Sequence, residues 1–339
     1  MKIMFHSNQL GERGTETALI DYAYANKNIL KNESILCFPE NKILDKNRFD
    51  LLKKDFKIYI YPNIEDLKKY IIQNKIELLY IITDGYQHDI ADEITETKTF
   101  VHAVFSTKRK HGTYYCPIHS YLNHYFNTKY PVLPHIIKRL PNPNDNLRIK
   151  LNIPEEAIIF GSYAGPDRFN IKFVRETIIE IAKKRKNIYF IFMNINDFIK
   201  QENNKPLENI IFLPGTTDNQ FKSNFINICD AMIHARDDGE TFGLSIAEFA
   251  SFHKPIITYK PNFFYNLYKQ FKAKLNNTLG YSKAHIINLG KSGIYYSNKN
   301  NLKYILLNFN KYTNKNDDCF VNKFNEKKII EIFNNIINE

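Results

Sequence analysis

The sequence predicts an α/β protein made of two tandem Rossmann-like, doubly wound domains with a ligand cleft between them. Three observations carry that reading. Short apolar strands alternate with amphipathic helical stretches along almost the whole chain, the pattern of βαβ units and a parallel sheet. The 339 residues correspond to two domains at roughly 100–200 residues each. Between Tyr130 and Asn146 the chain collects Pro131, Pro134, Pro141 and Pro143, which stop regular structure. The boundary is therefore expected near residue 145. That gives an N-terminal domain over 1–145, a C-terminal domain over 146–315 and a terminal helical segment over 316–339. A ligand of such a pair belongs outside the carboxyl ends of the strands.

In the first domain, apolar runs predict strands over 2–6, 34–38, 57–61, 77–83 and 99–105. A helix over 16–26 carries Ala18, Leu19, Tyr22 and Ala25 at helical spacing, and a second follows over 64–74. Alternation restarts after the prolines with a strand over 157–163, a helix over 171–184, and strands over 188–193 and 210–213. Next come a helix over 219–228, a strand over 231–235, a helix over 244–252 and a strand over 255–259. The last helix, over 325–337, is amphipathic through Ile329, Ile330, Phe333 and Ile336. No repeat of fixed period is present.

Apolar residues make up 43% and charged residues 24% of the chain, which excludes wholesale disorder. Cys37, Cys116, Cys229 and Cys319 lie far apart. Without a CxxC or a His/Cys cluster, neither a structural zinc site nor a disulfide scaffold is expected. The opening MKIMFHSN turns polar too soon for the apolar core of a signal peptide, and no apolar run approaches the ~20 residues of a membrane span. A cytoplasmic protein in a reducing compartment is the expectation. The formal net charge of +11 admits nucleic acid, anionic lipid or a polyanionic small ligand as partner. The longest basic block, Lys183-Lys184-Arg185-Lys186, is only four residues, Lys108-Arg109-Lys110 is shorter, and no aromatic RNA-binding signature appears, so a basic nucleic-acid-binding protein is the weaker alternative.

The most informative stretch runs from Asp230 to Thr258. An apolar strand enters a polar loop, Arg236-Asp-Asp-Gly-Glu-Thr-Phe-Gly243, a helix opens, and Lys254-Pro255 leads into a second strand. Amides at the opening of a helix lack intrahelical partners and sit at its positive dipole end. Gly243 lets a ligand approach the backbone. Glu240 lies just before the helix and Glu248 about a turn and a half inside it, so both carboxylates can accept bonds from hydroxyls in one crevice. These features suit a hydroxyl-rich, phosphate-bearing ligand.

Glu240 and Glu248 within GETFGLSIAE, followed by a small-residue helix and KPII, resemble the donor-site signature of GT-B glycosyltransferases, especially glycosyltransferase family 4. The resemblance implies a nucleotide-diphosphate sugar as donor substrate, with no other cofactor and no metal. Glu240 would bind hydroxyls of the donor sugar. Thr241 and the amides of Phe242, Gly243 and Leu244 would hold sugar oxygens or the diphosphate. Glu248 would bind the ribose hydroxyls.

Three further matches fall in order along the chain. Gly14, in the loop after the first strand, resembles a glycine-loop residue that approaches donor phosphate or acceptor; an ordinary turn with Thr15 as N-cap is the alternative. It is no Walker loop, for Gly-Lys-Ser/Thr is missing, and at Gly290-Lys-Ser292 the motif's first glycine is replaced by His285. After the first strand of the second domain, the family places an Arg and a Lys that clamp the diphosphate. Here Arg168 aligns with the Lys, Ser162 or Tyr163 stands where the Arg belongs, and Lys172 is a substitute one turn on. His102, in an apolar strand, resembles the family's cleft histidine, although a histidine so placed is more often a core residue. Asp84 and Gly85, at another strand end, are assigned to the acceptor side, while His234 and Arg236 end the strand before Glu240.

The resemblance implies hexosyl transfer to a hydroxyl of a glycan, a lipid-linked or a small-molecule acceptor, with retained anomeric configuration. Glu240, His102 and Arg168 would be the catalytic residues, and the final helix would pack back on the N-terminal domain. Another GT-B reaction, such as nucleotide-sugar epimerisation or phosphorolysis, is the alternative, since fold does not fix chemistry. The basic surface also allows peripheral contact with an anionic membrane.

Overall fold

The computed structural model describes residues 1–86, 88–201, 205–312 and 320–339. The chain forms two compact units, one of Met1–Lys138 with Lys323–Glu339 and the other of Arg139–Asn322.

In the first unit β1 (Lys2–His6), β2 (Glu33–Pro39), β3 (Lys57–Tyr61), β4 (Leu78–Thr83), β5 (Lys98–Ala103) and β6 (Tyr114–Pro117) form one sheet. Its order is β3-β2-β1-β4-β5-β6 and every pairing is parallel. Helices and loops cover both faces, which is why β4 reads as the unbroken apolar run LLYIIT. Phe5, Tyr80 and Phe100 stand in register across three strands. Their rings pack with Tyr22 and with Phe333 of the final helix, Glu326–Asn338. One residue back along the strands, Met4 and Leu79 face the opposite way, into a cluster with Ile35, Leu67 and Ile71. The final helix thus supplies core to the first unit, and the Tyr114 hydroxyl donates to the Ile337 carbonyl at 3.0 Å.

The second unit repeats the plan. Strands β7 (Ile158–Tyr163), β8 (Ile188–Met193), β9 (Ile210–Leu213) and β10 (Ala231–His234) are followed by the two-residue β11 (Gly239–Glu240). Then come β12 (Ile256–Tyr259), the two-residue β13 (Ser282–Lys283) and β14 (Gly293–Tyr296). The main sheet is parallel with order β14-β12-β10-β7-β8-β9, and β11 pairs with β13 beside it. Phe160, Phe190, Phe192, Ile233 and Ile257 are core residues of this unit.

The division between units falls at 138/139, before the last two prolines rather than after them. The reason is hydrogen bonding to helix Asn219–Ile228: Ser223 Oγ donates to the Pro141 carbonyl at 2.6 Å, and Asn224 accepts from the Asn144 amide at 3.0 Å. The first helix begins at Gly14 with Arg13, not Thr15, as N-cap. Cys37, Cys116 and Cys229 are free and buried, whereas Cys319 lies outside the described residues. Among the described residues no helix is long and apolar enough to cross a membrane.

Candidate active site

In the second unit β7 and β10 are neighbours whose onward connections run to opposite sides of the sheet. That is a topological switch point, where loops diverge and leave a crevice at the strand C-termini. The two loops that flank it are stitched together by Asn170. Its amide donates to the Ala235 carbonyl at 3.0 Å, and its side-chain oxygen accepts from the Asp237 amide at 2.8 Å.

Glu240 occupies this junction on β11. Gly239 makes its placement possible: with φ of +67°, a Cβ there would lie 2.1 Å from the Ser282 carbonyl oxygen, so a side chain would break the β11–β13 pairing. The Arg236 guanidinium donates to Glu240 Oε2 at 2.7 Å, and His234 Nε2 lies 3.4 Å from Oε1. Burial alone would push the Glu240 carboxyl up, but Arg236 and His234 outweigh it and hold the group at about 2. It is a carboxylate at any physiological pH.

The Glu240 amide donates to His285 Nδ1 at 3.2 Å, which leaves the ring proton of neutral His285 on Nε2. Burial first, and then the neighbouring His234, push His285 down to about 3. His285 Nε2 and Arg236 Nε are buried and have no hydrogen-bond partner among the described residues. Two unmatched donors beside one carboxylate are costly in an interior and mark a polar site.

Helix Leu244–Ser251 opens next to Glu240 with Gly243 as N-cap at φ of +90° and no side-chain cap. Its first-turn amides are therefore not covered by a capping side chain. Thr241 and Phe242 are buried and Leu244 is half-buried. Glu248, in the second turn, forms an ion pair with Lys222 at 3.6 Å, both side chains being about seven-eighths buried. The Lys222 ammonium also lies 5.9 Å from the centre of the Tyr163 ring. Tyr163, which stands where the clamp arginine was expected, has a buried hydroxyl without a partner among the described residues.

The other expected residues are placed differently. Lys172 is the first residue of helix Lys172–Lys184, its side chain is 84% exposed, and it pairs with Glu176 at 4.0 Å. Arg168 is exposed on the turn closed by its amide and the Gly165 carbonyl, two residues before Asn170. Neither cation is part of the Glu240 cluster. Gly14 is an exposed first-turn residue outside the left-handed region, so its backbone conformation does not itself call for glycine.

His102 is a core residue. It is fully buried in β5, donates from Nε2 to the Leu133 carbonyl at 2.6 Å, and accepts at Nδ1 from the Tyr80 hydroxyl at 2.5 Å. Burial pushes it down to about 4. With both nitrogens occupied it has nothing to offer a substrate, which corrects its assignment as catalytic. Asp84 closes a turn, accepting from the Tyr86 amide at 2.8 Å.

Two groups bear on metal binding. In the first unit Asp89, Asp92 and His111 lie close enough to share an ion. Arg109 makes a two-point contact with Asp92 at 2.7 and 2.5 Å, and His111 Nε2 sits 2.8 Å from Asp89. The cluster is a saturated ion-pair network. In the second unit Asp237 and Asp238 are held by Lys269, at 3.3 Å for Asp238, and the Tyr265 hydroxyl donates to Asp237 at 2.9 Å.

Sequence reasoning missed Lys222 and the part played by His285. Their partners Glu248 and Glu240 are remote in the chain, and no local motif links them. Arg236 and His234 were visible, but only the fold shows that they converge on Glu240.

The fold is that of GT-B glycosyltransferase structures. HepE of Anabaena, crystallised with UDP-glucose, matches at a TM-score of 0.73 over 100% of both chains with 14% identity. A glycosyltransferase from Rickettsia africae matches at 0.67 over 99% of this chain and 98% of its own, also with 14% identity. A candidate UDP-N-acetylglucosamine 2-epimerase from Listeria monocytogenes matches at 0.57 over 97% and 94%, with 10% identity. No protein-family model and no curated protein sequence matches the chain.

Proposed function

We propose that the protein is a glycosyltransferase that moves a sugar from a nucleoside-diphosphate sugar to an acceptor hydroxyl. The observation that carries this reading is the Glu240 site: a buried carboxylate between Arg236 and His234, beside uncovered helix amides, at the switch point of the second unit. The fold shared with HepE, which was crystallised with UDP-glucose, supports the donor class.

In this reading Glu240 accepts bonds from donor-sugar hydroxyls, and Glu248, steadied by Lys222, takes the ribose hydroxyls. Negative charge builds on the diphosphate as the glycosidic bond breaks. The amides of Leu244 and the residues after it meet that charge, the electrostatic term that is usually largest in such catalysis. Arg168, exposed two residues before the Asn170 that bonds the junction loop, supplements them. No side chain need act as a strong base when the departing phosphate takes the acceptor's proton. Retention of configuration and independence from metal belong to the same proposal. Occupation of Asp237 and Asp238 by Lys269 and Tyr265 supports the latter.

The Listeria neighbour makes epimerisation of a nucleotide sugar the second reading. Mass spectrometry of reactions with a panel of nucleotide sugars and acceptors separates the two. A transferase yields nucleoside diphosphate together with an acceptor heavier by one sugar, and this product persists in EDTA. A 2-epimerase extends no acceptor and converts the nucleotide sugar into an epimer of the same mass, resolved by proton NMR of the same reaction, and that result would overturn the proposal.

A further inference from the structure

Helix Phe263–Leu275 is amphipathic the wrong way round. Its polar side faces the protein: the Tyr265 hydroxyl and Lys269 bind Asp237, and Gln270 donates to the Tyr281 carbonyl at 3.2 Å. Its apolar side faces out, with Phe263, Phe264, Leu267, Tyr268, Phe271 and Leu275 each 55 to 79% exposed. At about 100° per residue these six fall within roughly 140° of the helix circumference, a continuous stripe rather than scattered apolar surface.

The charge around it is equally one-sided. From residue 249 to 316 the chain holds eleven lysines and no arginine, aspartate or glutamate. This stretch accounts for the entire net charge of +11, and the rest of the chain balances to zero. The helix lies within it, and exposed Lys260, Lys272, Lys274 and Lys283 stand on or near the stripe.

We propose that this face docks the protein on an anionic lipid bilayer. An outward stripe of Phe, Leu and Tyr suits the boundary between headgroups and acyl chains, and lysines suit the negative headgroups, their apolar stems lying along the surface. A second copy of the chain is the poorer occupant, because a twofold contact through this face would set two lysine-rich surfaces against each other, with Asp237 and Asp238 already engaged by Lys269 of the same helix. The proposal does not depend on the chemistry read at Glu240.

Vesicle flotation tests it. The full chain should float with vesicles of phosphatidylcholine plus phosphatidylglycerol and not with phosphatidylcholine alone, and raised salt should weaken the binding. Phe264→Ser with Phe271→Ser should cut binding roughly tenfold or more and leave the melting temperature unchanged, since both side chains are exposed. The protein has no Trp, so Phe264→Trp provides a single tryptophan whose selectively excited emission should shift to the blue on anionic vesicles. Absence of flotation, flotation insensitive to the double substitution, or unchanged Trp emission would overturn the proposal. So would a wild-type dimer that the double substitution dissociates.

Discussion

Arg236 and Glu240 are four residues apart, yet they meet across 2.7 Å on a loop and a two-residue strand rather than on a helix. Gly239 and the β11–β13 pairing create that contact. Because both side chains are largely buried, removing one partner strands the other. Arg236→Ala is expected to lower the unfolding free energy by about 3 kcal/mol, measured by urea denaturation. Glu240→Gln keeps an oxygen for Arg236 but loses the charge that, in the proposed reading, orients the donor. Its kcat should fall roughly a hundredfold with a smaller loss of stability.

Glu248 should behave differently. In the proposed reading it takes ribose hydroxyls, and so contributes equally to ground state and transition state. Glu248→Gln is expected to weaken nucleotide affinity about tenfold, in line with the loss of a charged hydrogen bond, with kcat nearly preserved. Isothermal titration with nucleoside diphosphate, set beside steady-state kinetics, distinguishes the two glutamates.

Much of the fold was legible in the chain. Parallel strands buried on both faces read as apolar runs, and the strands 2–6, 57–61, 188–193 and 210–213 agree with the structure at both ends. The edge strands Tyr114–Pro117 and Gly293–Tyr296 were not read, being four residues each and without a clear period. Helix Phe263–Leu275 was not read, although Phe263, Phe264, Leu267, Tyr268, Phe271 and Leu275 stand at helical spacing. At the site, Glu240, Gly243 and Glu248 were legible as one contiguous motif. Lys222 and His285 reach it only through the fold, and the apolar surroundings of His102 signalled core packing rather than a cleft.

Acid should expose the buried histidines. Burial pushes His6 and His102 down to about 4 and His285 to about 3, against 6.5 when unfolded. Below pH 6.5 the unfolded chain takes up protons that the folded chain refuses, so stability falls as pH drops. Each histidine costs about 1.4 kcal/mol per pH unit until its folded value is reached. The Glu240 contribution, present above the usual carboxylate range, is lost only as pH falls toward about 2. Melting temperature should therefore fall more steeply from pH 6.5 to 5 than from 8 to 6.5. His102→Asn should reduce the steepness and the stability at pH 7, with kcat of the folded protein unchanged.

The final helix should be indispensable to the first unit. Phe333 is fully buried among Tyr22, Tyr80 and Phe100. Phe333→Ala should cost about 3 to 5 kcal/mol through lost burial and the cavity it leaves, read from denaturant midpoints.

A Glu240 site that holds a nucleoside-diphosphate sugar should also bind the nucleoside diphosphate alone. Thermal denaturation with UDP, GDP, ADP and dTDP in turn tests it most directly. At a hundred times its Kd, the right nucleotide adds about 2.7 kcal/mol to stability, a clear rise in melting temperature that Glu248→Gln should diminish. No shift with any of the four, or a shift of equal size in Glu248→Gln, would rule out nucleotide binding at this site.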